Sequence, residues 1–268
     1  DTFSSRLPDP VLQQVEHFNN PGTTVNDAFK PVTRYFDRIT RPEQIISSLQ
    51  QAVQVMLDPA DCGPACISLS QDVQGEVYDY PEDFFKERIH TIRRSRPDDF
   101  QIKEAAELIK KSKKPIIISG GGVFYSDATE ELSAFAQKHN IPVTQTVMGY
   151  STMKKDHSHY LGVIGGLGGK AANNLSKETD TAIAIGTKLA DFTTGSWANF
   201  ENPDFKLVSI NAARFDANKH MAQAIVGDAK VSLMELSQAL GSWKADDVWY
   251  KKSRVELKEW ESYVDKES

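Results

Sequence analysis

The chain has 268 residues, 40% of them hydrophobic and 25% charged, an ordinary globular composition. Its 31 Lys and Arg stand against 37 Asp and Glu, a net charge of -6, so there is no basic footprint for nucleic acid. No apolar run reaches the roughly 18 residues of a spanning helix. No secretory leader is visible, and Cys62 and Cys66 read as reduced thiols, so the expected compartment is the cytoplasm and no membrane partner is expected.

The first forty residues read as irregular, punctuated by Pro8, Pro10, Pro21 and Pro31 and by the turn Asn19-Asn20-Pro21-Gly22. Arg41-Pro42-Glu43 opens a helix with proline in its first turn. Ile45, Ile46, Leu49, Val53, Met56 and Leu57 recur at helical spacing and predict the face that packs inward. Ala65-Cys66-Ile67-Ser68-Leu69 reads as a short buried strand. Residues 74–98 read as a connector whose aromatics Tyr78, Tyr80, Phe84 and Phe85 tuck against a surface. Its arginines Arg93, Arg94 and Arg96 leave a phosphate site as the alternative.

From residue 98 the pattern is regular. Asp98 or Asp99 caps a helix carrying Ile102, Ala105, Ala106, Leu108 and Ile109. Strands are predicted at Pro115–Ser119, Ile141–Thr144, Thr181–Gly186, Lys206–Asn211 and around Val226, with helices at 127–139, from Ala171, and at 229–240. Strands alternating with helices predict an α/β fold with a parallel sheet. The stretch between Met148 and Gly169 reads as a loop. The tail, with Trp249, Val255, Leu257 and Trp260, reads as a partly buried helix.

Two glycine clusters follow predicted strands, Gly120-Gly121-Gly122 and Gly186, where open parallel sheets bind ligands. A third run, Gly166-Leu167-Gly168-Gly169-Lys170-Ala171, satisfies G-x-G-x-x-A, whose amides suit a pyrophosphate. With no strand predicted before it, a tight structural turn is the favoured reading. His157-x-His159 lacks a third ligand at a metal-site spacing and reads as an exposed loop. Cys62 and Cys66 read as buried thiols rather than zinc ligands, and Asp180 and Asp191 as capping or loop carboxylates. Residues alone assemble no active site.

The run Gly63-Pro64-Ala65-Cys66-Ile67-Ser68-Leu69-Ser70-Gln71-Asp72-Val73-Gln74 resembles the strand that closes the pyrimidine-binding domain of thiamine-diphosphate enzymes of the acetolactate synthase and pyruvate oxidase group. Lys113-Lys114-Pro115, Gly120-Gly121-Gly122, Ile141-Pro142-Val143, Met148-Gly149 and Ile185-Gly186-Thr187-Lys188-Leu189-Ala190-Asp191 follow in the order of that group's central domain. Within it, Gln71-Asp72-Val73-Gln74-Gly75-Glu76, Thr194-Gly195-Ser196-Trp197 and Ser209-Ile210-Asn211-Ala212-Ala213-Arg214 are most similar to the ring-opening hydrolases of myo-inositol catabolism. The resemblance implies a doubly wound, Rossmann-like central domain at 98–240, preceded by the C-terminal half of a pyrimidine-binding domain at 1–80 and a linker at 81–97. Residues 241–268 would be a linker helix toward a diphosphate-binding domain outside the chain. It implies thiamine diphosphate and Mg²⁺ in the whole enzyme but neither on this piece, a small cyclic 1,2-dione as substrate, and a homo-oligomer. Central domains of this group bind FAD in some members and not in others; the single G-x-G-x-x-A match, with no strand predicted before it, leads to the expectation of no FAD here. It places one cofactor-binding candidate, Gln13, where relatives approach cofactor and substrate. It places no catalytic residue and no metal ligand here. An acetolactate synthase-like carboligase, a free-standing nucleotide-binding module and a structural core remain alternatives.

Overall fold

The computed structural model describes residues 3–4, 19–20 and 22–267. The chain divides into two compact units, Asp1–Arg93 and Arg94–Ser268.

The first unit holds a parallel pair of strands, β1 (Tyr35–Ile39) and β2 (Ala65–Leu69), joined through helix α1 (Ile45–Leu57). Strand β1 was not predicted. Its sequence Tyr-Phe-Asp-Arg-Ile places two charged residues inside a five-residue run, which conceals the apolar signal. Pro42 lies in the first turn of a 3-10 segment that leads into α1, as its missing N–H favours. The inward face of α1 differs from the one predicted. Ser48 and Ala52 are its buried residues, while Leu49 and Met56 are 42% and 47% exposed. Small side chains let the helix backbone approach the strands, and the bulkier neighbours turn outward. Strand β2 is likewise not fully covered: Ser68 alone is buried and Leu69 is 40% exposed. Both cysteines are free thiols; Cys62 is exposed and Cys66 half-buried, so the expectation of buried thiols fails.

Val25, Phe29 and Val32 are exposed on the 3-10 segment Val25–Val32, so the unit presents two apolar stripes to solvent. Such surface recruits a partner. We expect the protein to self-associate through this unit, and the double substitution Leu49→Glu with Met56→Glu to shift it toward monomer in sedimentation velocity. An unsubstituted chain that stays monomeric at high concentration would defeat the expectation.

The second unit is a six-stranded parallel sheet in the order β5-β4-β3-β6-β7-β8, formed by β3 (Pro115–Ser119), β4 (Val143–Gln145), β5 (Tyr160–Val163), β6 (Thr181–Ile185), β7 (Lys206–Asn211) and β8 (Gln223–Val226). Counted from β3, this is the doubly wound order 3-2-1-4-5-6. Both faces are covered, so alternate residues of one strand enter different cores. Ile117, Ile183, Ile185, Val208 and Ile210 face one cluster, together with α2 (Asp99–Lys110), α4 (Thr129–His139) and α8 (Ala229–Leu240). Ile116, Ile118, Ala182 and Ala184 face the other, with α5 (Lys170–Glu178) and Trp249 of α9 (Asp247–Glu267). The short helices α3 (Gly121–Tyr125), α6 (Asp191–Thr194) and α7 (Arg214–Ala217) follow β3, β6 and β7. Each fully buried Ile contributes roughly 1.5–3 kcal/mol.

The helix signals hold. Asp98 caps α2 by accepting from the Phe100 amide at 2.8 Å, and Ile102, Ala105, Ala106 and Ile109 are buried. The tail helix α9 packs on α5 and the edge of β5 within this unit, and the Trp249 Nε1–H donates to the Pro115 carbonyl at 2.8 Å. Among the described residues no helix is long and apolar enough to cross a membrane.

Candidate functional site

Doubly wound sheets bind ligands outside the strand carboxyl ends, where the strand order reverses. Here that point lies between β3 and β6, at Gly120-Gly121-Gly122 and Gly186. The crevice is closed by main chain. The Gly120 amide donates to the Ile185 carbonyl at 2.8 Å, and the Gly122 amide to the Gly186 carbonyl at 2.9 Å. Gly186 has φ +60°, and a Cβ on it would stand 2.5 Å from the Gly122 Cα. The glycines serve close backbone packing, and these two amides are already spent.

The G-x-G-x-x-A run has a different context from the one predicted. Strand β5 precedes it and α5 follows it, so its placement matches a dinucleotide fingerprint. The strand escaped detection because Gly162 interrupts a short run; its φ is +103°. The loop itself remains a structural turn. Gly165 donates to Asn173 Oδ1 at 2.9 Å, Gly166 to the Phe192 carbonyl at 2.8 Å, Gly168 to the Gly165 carbonyl at 2.9 Å, and Gly169 to the Val163 carbonyl at 2.9 Å. Four donors that a pyrophosphate would need are engaged within the protein. The Trp260 ring also lies over Gly169, 2.7 Å from where a Cβ would be.

Gln13 lies outside the described residues. Arg94 bonds Asp228 at 3.0 Å and Arg96 bonds Glu235, so these arginines tie the connector to α8 rather than await a phosphate. Tyr78, Tyr80, Phe84 and Phe85 pack mainly on one another. Asp180 accepts from the Ser112 hydroxyl and the Lys113 and Lys114 amides, and Asp191 from the Ser196 hydroxyl at 2.7 Å. Asp180 is a loop carboxylate and Asp191 opens the short helix Asp191–Thr194, within the capping or loop roles expected of them.

His159, expected on an exposed loop, is 5% exposed, and burial together with the charges of His157 and Arg254 pushes its pKa down to about 4. His139, on α4, is fully buried and also lowered by burial; its ring bonds the Trp243 carbonyl at 2.7 Å and Ser237 Oγ at 3.0 Å. A His-Ser-His triplet carries no sequence signal of burial; only the helix that covers it does so.

Among the described residues no three His, Cys, Asp or Glu side chains come together as a metal site. Asp228, in Gly227-Asp228-Ala229, caps α8 by accepting from the Lys230 and Val231 amides and pairs with Arg94. The described residues therefore do not fit a magnesium-diphosphate group.

A doubly wound domain whose switch point is sealed by glycine contacts has the architecture without the ligand crevice. The thiamine pyrophosphate enzyme central domain matches residues 102–236, and the chain belongs to that family. Several curated proteins described as 3D-(3,5/4)-trihydroxycyclohexane-1,2-dione hydrolase are similar to it over most of its length. The Clostridium perfringens (strain 13) protein is 50% identical over 240 residues, 90% of this chain and 38% of that protein. The Clostridium tetani protein is 49% identical over 240 residues, 90% of this chain and 37% of that protein. The Bacillus subtilis (strain 168) protein is 48% identical over 246 residues, 92% of this chain and 39% of that protein. The chain thus spans less than two fifths of the length of these relatives.

Proposed function

We propose that this chain forms the central domain, and the closing part of the pyrimidine-binding domain, of a thiamine-diphosphate-dependent hydrolase that opens a cyclic 1,2-dione in myo-inositol catabolism. The observation that carries the reading is 50% identity over 90% of the chain to a protein named for that activity. The sealed switch point supports a scaffolding role for the central domain: it positions neighbouring elements and leaves cofactor chemistry to residues elsewhere in the enzyme. In that enzyme thiamine diphosphate, with Mg²⁺, would supply the carbanion chemistry. Gln13 is the one residue of this chain proposed to approach the cofactor.

The test is an assay of the longest open reading frame containing this sequence with 3D-(3,5/4)-trihydroxycyclohexane-1,2-dione, thiamine diphosphate and Mg²⁺. Ring opening that requires the cofactor is expected. Acetolactate formation from pyruvate, without ring opening, would instead assign the chain to a carboligase.

The same sealed loops bear on flavin. The amides of Gly165, Gly166, Gly168 and Gly169 all bond within the protein. We expect the purified chain to be colourless and to release no flavin on denaturation. A stoichiometric flavin absorbance would show that the loop rearranges to admit the pyrophosphate.

A further inference from the structure

An exposed sheet edge is a liability, because its main-chain groups invite pairing with another strand. Strand β5 is one edge of the six-stranded sheet, and α9 covers it. Two α9 side chains address main-chain carbonyls there. Tyr250 donates its hydroxyl to the Ser158 carbonyl at 3.0 Å, and Arg254 its guanidinium to the Tyr160 carbonyl at 2.5 Å.

His159 stands between these two contacts, and its surroundings specify one neutral tautomer. The Asn140 amide donates to the Ala245 carbonyl at 3.2 Å and to Asp247 Oδ1 at 3.0 Å, which turns its oxygen toward His159. That oxygen lies 3.3 Å from His159 Nε2, so Nε2 carries the proton. Nδ1 is then bare and accepts from the Ser158 hydroxyl at 2.9 Å. Asn140 holds a left-handed conformation at the C-cap of α4, so this hydrogen-bond chain runs from the edge of the sheet to the first residue of α9.

The charged and titratable groups facing the ring disfavour a second proton. Within its own loop stand His157, with ring centroids 5.7 Å apart, and Asp156, whose charge acts on His157. From α9 come Tyr250, whose ring lies 4.6 Å away, and Arg254. The Tyr250 ring also carries the Arg254 guanidinium at 5.6 Å, so an imidazolium would share that ring with an existing cation. Asp247 meets the ring only through the Asn140 amide. Among the described residues, the ring nitrogens of His159 meet Ser158 Oγ and Asn140 Oδ1 and no carboxylate.

We propose that His159 is a proton-operated latch on α9: protonating it opens the seam between α9 and the edge strand β5 while the six-stranded sheet stays folded. Every contact of this latch lies inside the second unit. Charge on the ring would repel Arg254 and reverse the hydrogen-bond polarity at Nδ1. The two α9 side-chain hydrogen bonds to the Ser158 and Tyr160 carbonyls flank that ring. Acidification would then bare the Ser158 and Tyr160 carbonyls.

The test is a pH titration of the full 268-residue chain by two-dimensional NMR, following the imidazoles of His139, His157 and His159 with the α9 and β3, β6 and β7 amides. The expected result is that α9 amides lose protection with the midpoint of His159, at a pH where the sheet amides remain protected. His159→Gln stays neutral and keeps both hydrogen-bonding functions, so it should lower the opening midpoint by more than one pH unit. His157→Gln should shift it only slightly. Arg254→Gln, which removes the repelling cation and its contact to the Tyr160 carbonyl, should raise the His159-linked midpoint and decides the matter if His159→Gln does not fold. Opening at an unchanged pH in His159→Gln, an unchanged midpoint in Arg254→Gln where that variant must decide, or loss of α9 and sheet in one transition would overturn the proposal.

Discussion

Replacing Gly186 with alanine should destabilise the protein by about 3 kcal/mol or more. Two costs add. The residue has φ +60°, where an L side chain pays roughly 1–2 kcal/mol. The new Cβ would also stand 2.5 Å from the Gly122 Cα and 2.9 Å from the Val123 amide nitrogen, both main-chain atoms with no rotamer to change. Relief requires moving β3's loop away from β6, which breaks the Gly122 to Gly186 hydrogen bond just beyond the carboxyl ends of the two central strands. Against a total stability on the order of 5–15 kcal/mol, this is a large fraction. Thermal melts should show the midpoint falling by roughly 6–12 °C. Gly162→Ala separates the two costs, since Gly162 has φ +103° but nothing lies within 4 Å of its Cβ position. If both variants melted alike, close packing would not be the reason for glycine at the switch point.

The parts of the fold legible in sequence are those where physics is local. The run Pro115–Ser119 is β-branched and bounded by a proline and glycines, and Asp98 precedes an amphipathic helix. Strands buried on both faces read as continuous apolar runs, which is why β3, β6 and β7 stood out. The misses depend on tertiary context. β5 contains a left-handed glycine and borders a loop, so its pairing with β4 decides its identity. α1 buries Ser48 and Ala52 because close approach to β1 and β2 outweighs the hydrophobicity of Leu49 and Met56. His159 becomes a buried base only when α9, nearly a hundred residues later in the chain, lies across it. At the candidate site the glycine motifs were visible, but whether their amides were free depended on acceptors as distant as the Phe192 carbonyl.

This chain alone should neither bind thiamine diphosphate tightly nor open a cyclic dione. A magnesium ion prefers near-octahedral oxygen ligands, held by carboxylates together with substrate phosphates. Among the described residues no cluster of three such side chains exists, and Asp228 already serves a helix cap and Arg94. The glycine-loop amides that would solvate a diphosphate are likewise engaged. Gln13, the one residue proposed to approach the cofactor, would add a single hydrogen bond worth about 0.5–1.5 kcal/mol. A dissociation constant of 1 μM requires about 8.2 kcal/mol. Calorimetry with thiamine diphosphate and Mg²⁺ should therefore show no saturable heat at micromolar concentration, with circular dichroism confirming that the chain is folded. Saturable binding or measurable ring opening would mean that residues 1–268 contain a cofactor site after all, and the scaffolding role assigned to the sealed sheet would have to be abandoned.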